Sequence, residues 1–264
     1  MAVMLSSGSL LDFDWYKHPE SREVFSSVIN RDHQKLKTFG LLEKPANVSP
    51  YSPEEVRYKL FVVGKTGVGK TSTVAKLTGN EIPKTHNETA GIQTSTTYWP
   101  GKITQLNKQV MFRLQFWDAG ETSLKKLDHI VPACTEKVDG ILFLFSIVDK
   151  SSFDDLHQQI SRFSSANDDI IKIVIATKCD QHAHCEVTQR DIRDFENNWK
   201  IPVLKVQNIP DSSQPDFSEV SRLLNIICEY LWYRDLILAG KVTKGGAVVG
   251  RRPQPTASTM EKYV

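Results

Sequence analysis

The spacing of apolar positions along the chain changes character at about Tyr58. From there, apolar runs of strand length alternate with stretches of helical periodicity. The runs are YKLFVV (58–63), VMFRLQFW (110–117), GILFLFS (140–146), IIKIVIAT (170–177) and PVLKV (202–206). Between them Lys70–Thr78, Thr122–Glu136, Ser151–Ser165, Thr188–Trp199 and Phe217–Leu238 read as helices. Such alternation implies βαβ units and a sheet covered on both faces. Ile92–Ile103 is expected to pair antiparallel with 110–117 through a turn near Leu106–Asn107. The predicted fold class is therefore α/β, with a mostly parallel six-stranded sheet between helices.

The flanks differ from this core. Residues 1–56 form an N-terminal extension, in which Val24, Phe25, Val28, Ile29 and Leu36 follow Pro19 at roughly helical spacing. That helix either lies on the main domain or docks a partner. Pro45, Pro50 and Pro53 mark a linker. The main domain is expected over 57–240, and 241–264, which lacks apolar periodicity, reads as a disordered tail.

Composition narrows the class of partner. A formal net charge of +2 is no electrostatic footprint for nucleic acid or an anionic membrane. Cys134, Cys179, Cys185 and Cys228 are irregularly spaced, which fits a reduced, cytoplasmic protein better than a disulfide framework. No stretch approaches the roughly 20 apolar residues of a membrane helix, and the N-terminus is a poor signal peptide. No cysteine follows Cys228 and Ala2 follows Met1, so no direct lipid anchor is expected.

Directly after the first strand run stands Gly64-Lys65-Thr66-Gly67-Val68-Gly69-Lys70-Thr71, with Ser72 next. Glycines let main-chain N–H groups converge on phosphate oxygens, and the following helix adds its positive end. Lys70 is expected to reach the β- and γ-phosphates, with the Thr71 hydroxyl on Mg²⁺. The alternative is a structural glycine-rich turn, and the place of the motif between a strand and a helix start speaks for the phosphate loop. The base is read by Thr177-Lys178-Cys179-Asp180, at the end of the 170–177 run. The Asp180 carboxylate can accept two hydrogen bonds from guanine N1–H and its exocyclic amine, whereas adenine offers no such donor pair. The Lys178 stem can lie along the base. GTP or GDP with Mg²⁺ is thus the expected ligand, and an ATPase or small-molecule kinase is the rival.

With these motifs in register, the chain resembles the Ras-like small GTPases over about 180 residues, which implies a P-loop NTPase of the Ras-like G-domain type. Thr89, 19 residues past Lys70, takes the place of the switch-one threonine that closes on Mg²⁺ and the γ-phosphate. Thr89-Ala90-Gly91-Ile92 looks like the Rab form of that loop, and Trp117-Asp118-Ala119-Gly120-Glu121 looks like switch two. Ser152-Phe153-Asp154-Asp155-Leu156 is similar to the segment that opens the third helix. The resemblance implies Thr71, Thr89 and Asp118 about the metal and Lys70, Thr89, Gly120 and Glu121 about the γ-phosphate. FWDAGE, AGIQT…YWP and the absent lipidation cysteine are similar to the Rem- and Rab-like branch tied to the ciliogenesis and planar polarity effector complex. That implies a monomer within a hetero-complex with Inturned and Fuzzy. It also implies work at the cilium basal body and cytoskeleton in protein transport and exocytosis. A conventional Rab-like vesicle-trafficking GTPase is the alternative.

The chain departs from the family pattern at several points. Asp118-Ala119-Gly120 is one residue short of Asp-x-x-Gly, and the following glutamine, which orients the attacking water, is absent. Glu121 is the nearest replacement, but a carboxylate cannot donate an N–H to the transition state. Thr66 stands where Ras proteins carry glycine. The Ser-Ala-Lys base loop is unrecognisable in Lys205-Val206-Gln207-Asn208-Ile209, with Gln207 a partial substitute. Ile82 replaces an aromatic that leans on the base, a change of about 1 kcal/mol. Nucleotide binding should outlast catalysis, since losing one transition-state donor commonly costs about 10²–10³-fold. Cys179, His182, His184 and Cys185 invite a zinc reading, against a solvated loop behind the base motif. Asn47-Val48-Ser49 and Asn87-Glu88-Thr89 match glycosylation sequons, which a cytoplasmic protein does not use. Trp199, Trp232 and Tyr233 are expected to be packing residues.

Overall fold

A computed structural model describes residues 5, 8–22, 24, 54–85, 87–126, 130–163, 169–209 and 217–242. Six strands form one sheet: β1 (Glu54–Gly64), β2 (Ile92–Ile103), β3 (Lys108–Ala119), β4 (Gly140–Ser146), β5 (Ile171–Thr177) and β6 (Val203–Lys205). Their order is β2-β3-β1-β4-β5-β6. Only the β2–β3 pair is antiparallel, in register from Ile92 opposite Ala119 to Ile103 opposite Lys108. The remaining neighbours are parallel, as the alternating pattern predicts.

Helices cover both faces. They are α1 (Lys70–Leu77), α2 (Glu121–Lys126), α3 (Ile130–Thr135), α4 (Lys150–Asp154), α5 (Leu156–Phe163), α6 (Gln189–Trp199) and α7 (Phe217–Leu238). The period-two geometry of a strand sends successive side chains to opposite layers. Leu60, Leu142, Leu144, Ile173 and Ile175 join α1 and α7 in one core, with Leu77, Leu224 and Ile227. Phe61, Phe143, Phe145, Val174 and Ala176 join α4, α5 and α6 in the other, with Phe153, Ile160 and Phe195. Every residue of β4 is buried, which its position in the middle of a parallel sheet requires.

Local chemistry sets the helix ends. Thr188 and Asp191 form a reciprocal capping box that starts α6, and Lys200 ends it in the left-handed region at φ +56°. Of the helix expected over 122–136, α2 and α3 are seen, and 127–129 between them lie outside the described residues. The helix expected over 151–165 is divided at Asp155, between α4 and α5.

The N-terminal residues are built into the domain. Leu11 pairs with Ile103 as an antiparallel bridge at the end of β2. The carboxylate of Glu229, on α7 and 1% exposed, accepts the N–H groups of Gly8 (3.0 Å), Leu10 (2.7 Å) and Leu11 (3.3 Å). Asn225 accepts the indole N–H of Trp99 at 2.7 Å and donates to the Phe13 carbonyl at 3.3 Å. Trp15 is 2% exposed within the α7-side core. The strand β1 opens at Glu54, ahead of Arg57. Ser21 and Arg22 are helical. Phe25, Val28, Ile29, Leu36, the linker prolines, the Asn47 sequon and the tail beyond Val242 lie outside the described residues. Tyr233 is buried, and Trp199 and Trp232 pack at the edges of the two cores.

Candidate functional site

The parallel strands β1, β4 and β5 deliver their C-terminal ends to one edge of the sheet, and the loops that follow them enclose a cleft of about 940 Å³. Thr66, Gly67, Gly69, Lys70, Thr71 and Ser72 form one wall, with Thr89, Gly120 and Lys178 among the others. Open parallel sheets place ligands at this edge because the loops diverge there and helix N-termini point into the gap.

The loop from Gly64 to Gly69 is fixed by close approach. A β-carbon on Gly64 would meet the Leu144 carbonyl oxygen at 2.5 Å, so β4 and the loop touch only because position 64 is glycine. Gly69 caps α1 at φ +96°, a conformation that L side chains rarely adopt. Val68 is buried, and its carbonyl accepts the Thr177 hydroxyl at 2.5 Å, which ties the end of β5 to the loop from beneath. Lys70, 7% exposed, donates to the carbonyls of Gly64 and Lys65, both at 2.8 Å. Burial lowers the Lys70 pKa, and the charges of Asp118, Glu121 and Glu88 oppose that shift. The result is one buried cation at the mouth of α1. The Lys65 side chain turns away from the cleft to Asp155 (2.9 Å) and Ser151, leaving its main chain to the loop.

Three oxygen-bearing side chains meet beside Lys70. The Thr71 hydroxyl donates to Asp118 Oδ2 at 2.6 Å and lies 3.0 Å from the Thr89 hydroxyl. Thr89 in turn stands 3.4 Å from the same carboxylate oxygen. Burial raises the Asp118 pKa, while the two hydroxyls and Lys70 act against it. Asp118 is 1% exposed, and its other oxygen, Oδ1, is buried without a hydrogen-bond partner. An orphaned buried carboxylate oxygen is costly. It fits a hard divalent cation, which takes oxygen ligands and supplies the missing partner. The three residues assigned to the metal in the sequence are therefore brought together.

The two segments around this corner are interlocked. Gly120 donates its N–H to the Gly91 carbonyl at 3.2 Å, and Gly91 donates to the Ser123 hydroxyl at 2.9 Å. A β-carbon at position 120 would fall 2.0 Å from the Thr89 carbonyl oxygen, so no larger residue fits there. Glu121 Oε2 accepts the main-chain N–H of Thr66 at 2.6 Å. Glu88, a residue that the sequence did not single out, accepts the Thr66 hydroxyl at 3.3 Å and the Thr122 N–H at 3.0 Å.

At the base end, Lys178 holds φ +55° and borders the cleft, Cys179 is buried beneath it, and Asp180 is exposed beyond it. Gln207 does not reach this cleft. Val206 is buried, so strand alternation sends Gln207 outward, where it borders a separate groove between β6 and α7. Its N–H donates to Glu219 at 3.0 Å. Asn208 turns inward instead and donates to Thr73 on α1 at 2.8 Å, with its Oδ1 buried and without a hydrogen-bond partner. That residue was missed because no sequence signal distinguishes it from its neighbours. Ile82 is half-buried, while the adjacent Pro83 and Lys84 line the cleft. His182 and His184 are exposed on a 3₁₀ turn, and Cys185 donates to the Val187 carbonyl at 3.0 Å. Among the described residues no three His, Cys, Asp or Glu side chains are grouped to hold a metal, and no helix is long and apolar enough to cross a membrane.

Comparison with known proteins agrees with this geometry. A family model described as Ras family matches residues 59–211. Ciliogenesis and planar polarity effector 2 of Xenopus laevis is 45% identical over 253 residues, covering 92% of this chain and all of that protein. The Homo sapiens protein of the same name is 40% identical over 242 residues, covering 88% and 93% of the two chains. The Ras-related protein Rab-11B of Dictyostelium discoideum is 24% identical over 177 residues, 66% of this chain and 74% of its own.

Proposed function

The chain belongs to the Ras family, and from that premise we propose that it is a guanine-nucleotide-binding switch or scaffold subunit that hydrolyses GTP slowly. The observation that carries the reading is the meeting of Thr71, Thr89 and an orphaned Asp118 oxygen beside Lys70. Main-chain N–H groups of Gly67–Thr71 would hold phosphates, Lys70 would neutralise them, and Thr71, Thr89 and Asp118 would hold Mg²⁺. When bound, Mg²⁺ would offset phosphate charge. Asp180 would select guanine, with Lys178 along the base.

Slow turnover is supported by what stands next to Gly120. The residue there is Glu121, which accepts the Thr66 N–H and offers no donor for an attacking water. A second reading, a conventional cycling Rab-like GTPase, is favoured by the placement of Thr89 and by the Rab-related relatives. We further propose, from the likeness to ciliogenesis and planar polarity effector 2, a cytoplasmic role in cilium biogenesis at the basal body. Inturned and Fuzzy would be its partners, and targeted transport or exocytosis its output.

Extraction of nucleotide from the purified chain, with Lys70→Ala alongside, tests the binding claim. GTP or GDP is expected from the parent and none from the variant. Tighter binding of ATP than of GTP would overturn it. Co-purification with Inturned and Fuzzy tests the assembly, and failure of all three chains to associate when co-expressed would remove it.

A further inference from the structure

Thr66 receives two carboxylates from segments far apart in the chain. Its N–H donates to Glu121 Oε2 at 2.6 Å, across 55 positions, and its hydroxyl donates to Glu88 Oε1 at 3.3 Å, across 22. The same Glu88 oxygen accepts the Thr122 N–H at 3.0 Å, so the segments bearing Glu88 and Glu121 are joined to each other as well as to the loop. Both carboxylates lie near enough to Lys70 to favour its charged form.

Main-chain N–H groups of a phosphate loop are the donors that take phosphate oxygens. A carboxylate on one of them is an internal anion in a place suited to a phosphate oxygen. The location along the cleft matters. Thr71, Thr89, Asp118 and Gly120 mark its metal end, where the terminal phosphates of a nucleotide belong. Glu121 adjoins Gly120 at that same end. On this placement a diphosphate held by the amides from Gly67 onward would leave Glu121 on Thr66, whereas a triphosphate would add charge beside Glu121 and Glu88 and compete for the Thr66 amide.

On the guanine-nucleotide reading above, we propose that Glu121 is the residue that sets the preference of this cleft between GDP and GTP. Its carboxylate holds the Thr66 amide and disfavours the third phosphate by like charge. Glu88 acts in the same direction through the Thr66 hydroxyl, with a smaller share because its contact is longer.

The test is calorimetric titration of the full chain with GDP and with GTP, in Mg²⁺ buffer, for the parent, Glu121→Gln and Glu88→Gln. Glutamine keeps an acceptor of the same shape and removes the charge. The expected result for Glu121→Gln is a GTP affinity raised about tenfold relative to GDP, about 1.4 kcal/mol, with GDP affinity itself within about threefold. Glu88→Gln should shift the ratio the same way by less, and it gives an independent reading if Glu121→Gln does not fold. A GTP-to-GDP ratio unchanged in whichever variants fold overturns the proposal and leaves guanine-nucleotide binding intact. A parent chain that binds neither nucleotide overturns both.

Discussion

The cleft has two corners of unlike construction. At the loop proposed to hold phosphate, Lys70 is buried on the Gly64 and Lys65 carbonyls, Gly69 caps α1 at its positive end, and Asp118 keeps one oxygen without a hydrogen-bond partner. At Gly120 and Glu121, a few residues away, the polar groups satisfy one another. Glu121 and Glu88 take the donors of Thr66 and Thr122, and Gly120 is wedged against Thr89. On the proposed function, the first corner would hold phosphate and metal, and the second would hold the loops in place without an amide to position water. Substitutions in the two corners are then expected to affect grip and turnover unequally.

The largest effect is expected from the gripping corner. Lys70→Ala removes the buried cation and should weaken GTP and GDP by about 10³-fold, or about 4 kcal/mol, in equilibrium titration. Next comes the base end. Asp180→Asn removes one acceptor and adds a donor that faces a donor, so the preference for GTP over GTP analogues with adenine should fall by about 10²-fold in competition binding. Retained guanine preference in that variant would undo the base assignment. Gly120→Ala sharpens the comparison at its boundary. The added carbon meets the Thr89 carbonyl oxygen at 2.0 Å, and should push Thr89 from Asp118. A roughly tenfold weaker Mg²⁺-dependent affinity is expected, about 1–3 kcal/mol in all for overpacking, measured with and without chelator. Equal loss in chelator would show that Thr89 has no part in the metal corner. The smallest effect belongs to Thr66→Gly, which should change any hydrolysis rate by less than about twofold in single turnover, because the glutamine that orients water in Ras-type GTPases would still be missing.

Most of the gripping corner was legible in the sequence, because its information is contiguous. Gly64 to Ser72 is one continuous segment from the end of β1 through a glycine-rich loop into α1, and its spacing is what points to a phosphate cradle. The six strands were legible for a similar reason: runs such as GILFLFS leave no polar face, so they belong inside a covered sheet. What could not be read was long-range. The clasp of Leu10 by Glu229 spans 219 positions and that of Thr66 by Glu121 spans 55, and neither pair has a local signature. Gln207 and Asn208 are both polar, and only the burial of Val206 decides which of them turns toward α1.

The account turns on a cleft that holds guanine nucleotide firmly and turns it over poorly. Single-turnover hydrolysis of GTP by the purified chain, with Mg²⁺ and no added partner, reads this directly. Nucleotide bound throughout and phosphate released more slowly than about 10⁻⁵ per second is the predicted result, set against about 3–5 × 10⁻⁴ per second for unassisted Ras. Release at or above that Ras rate would show that some other group orients the water, and the separation of grip from turnover would not stand.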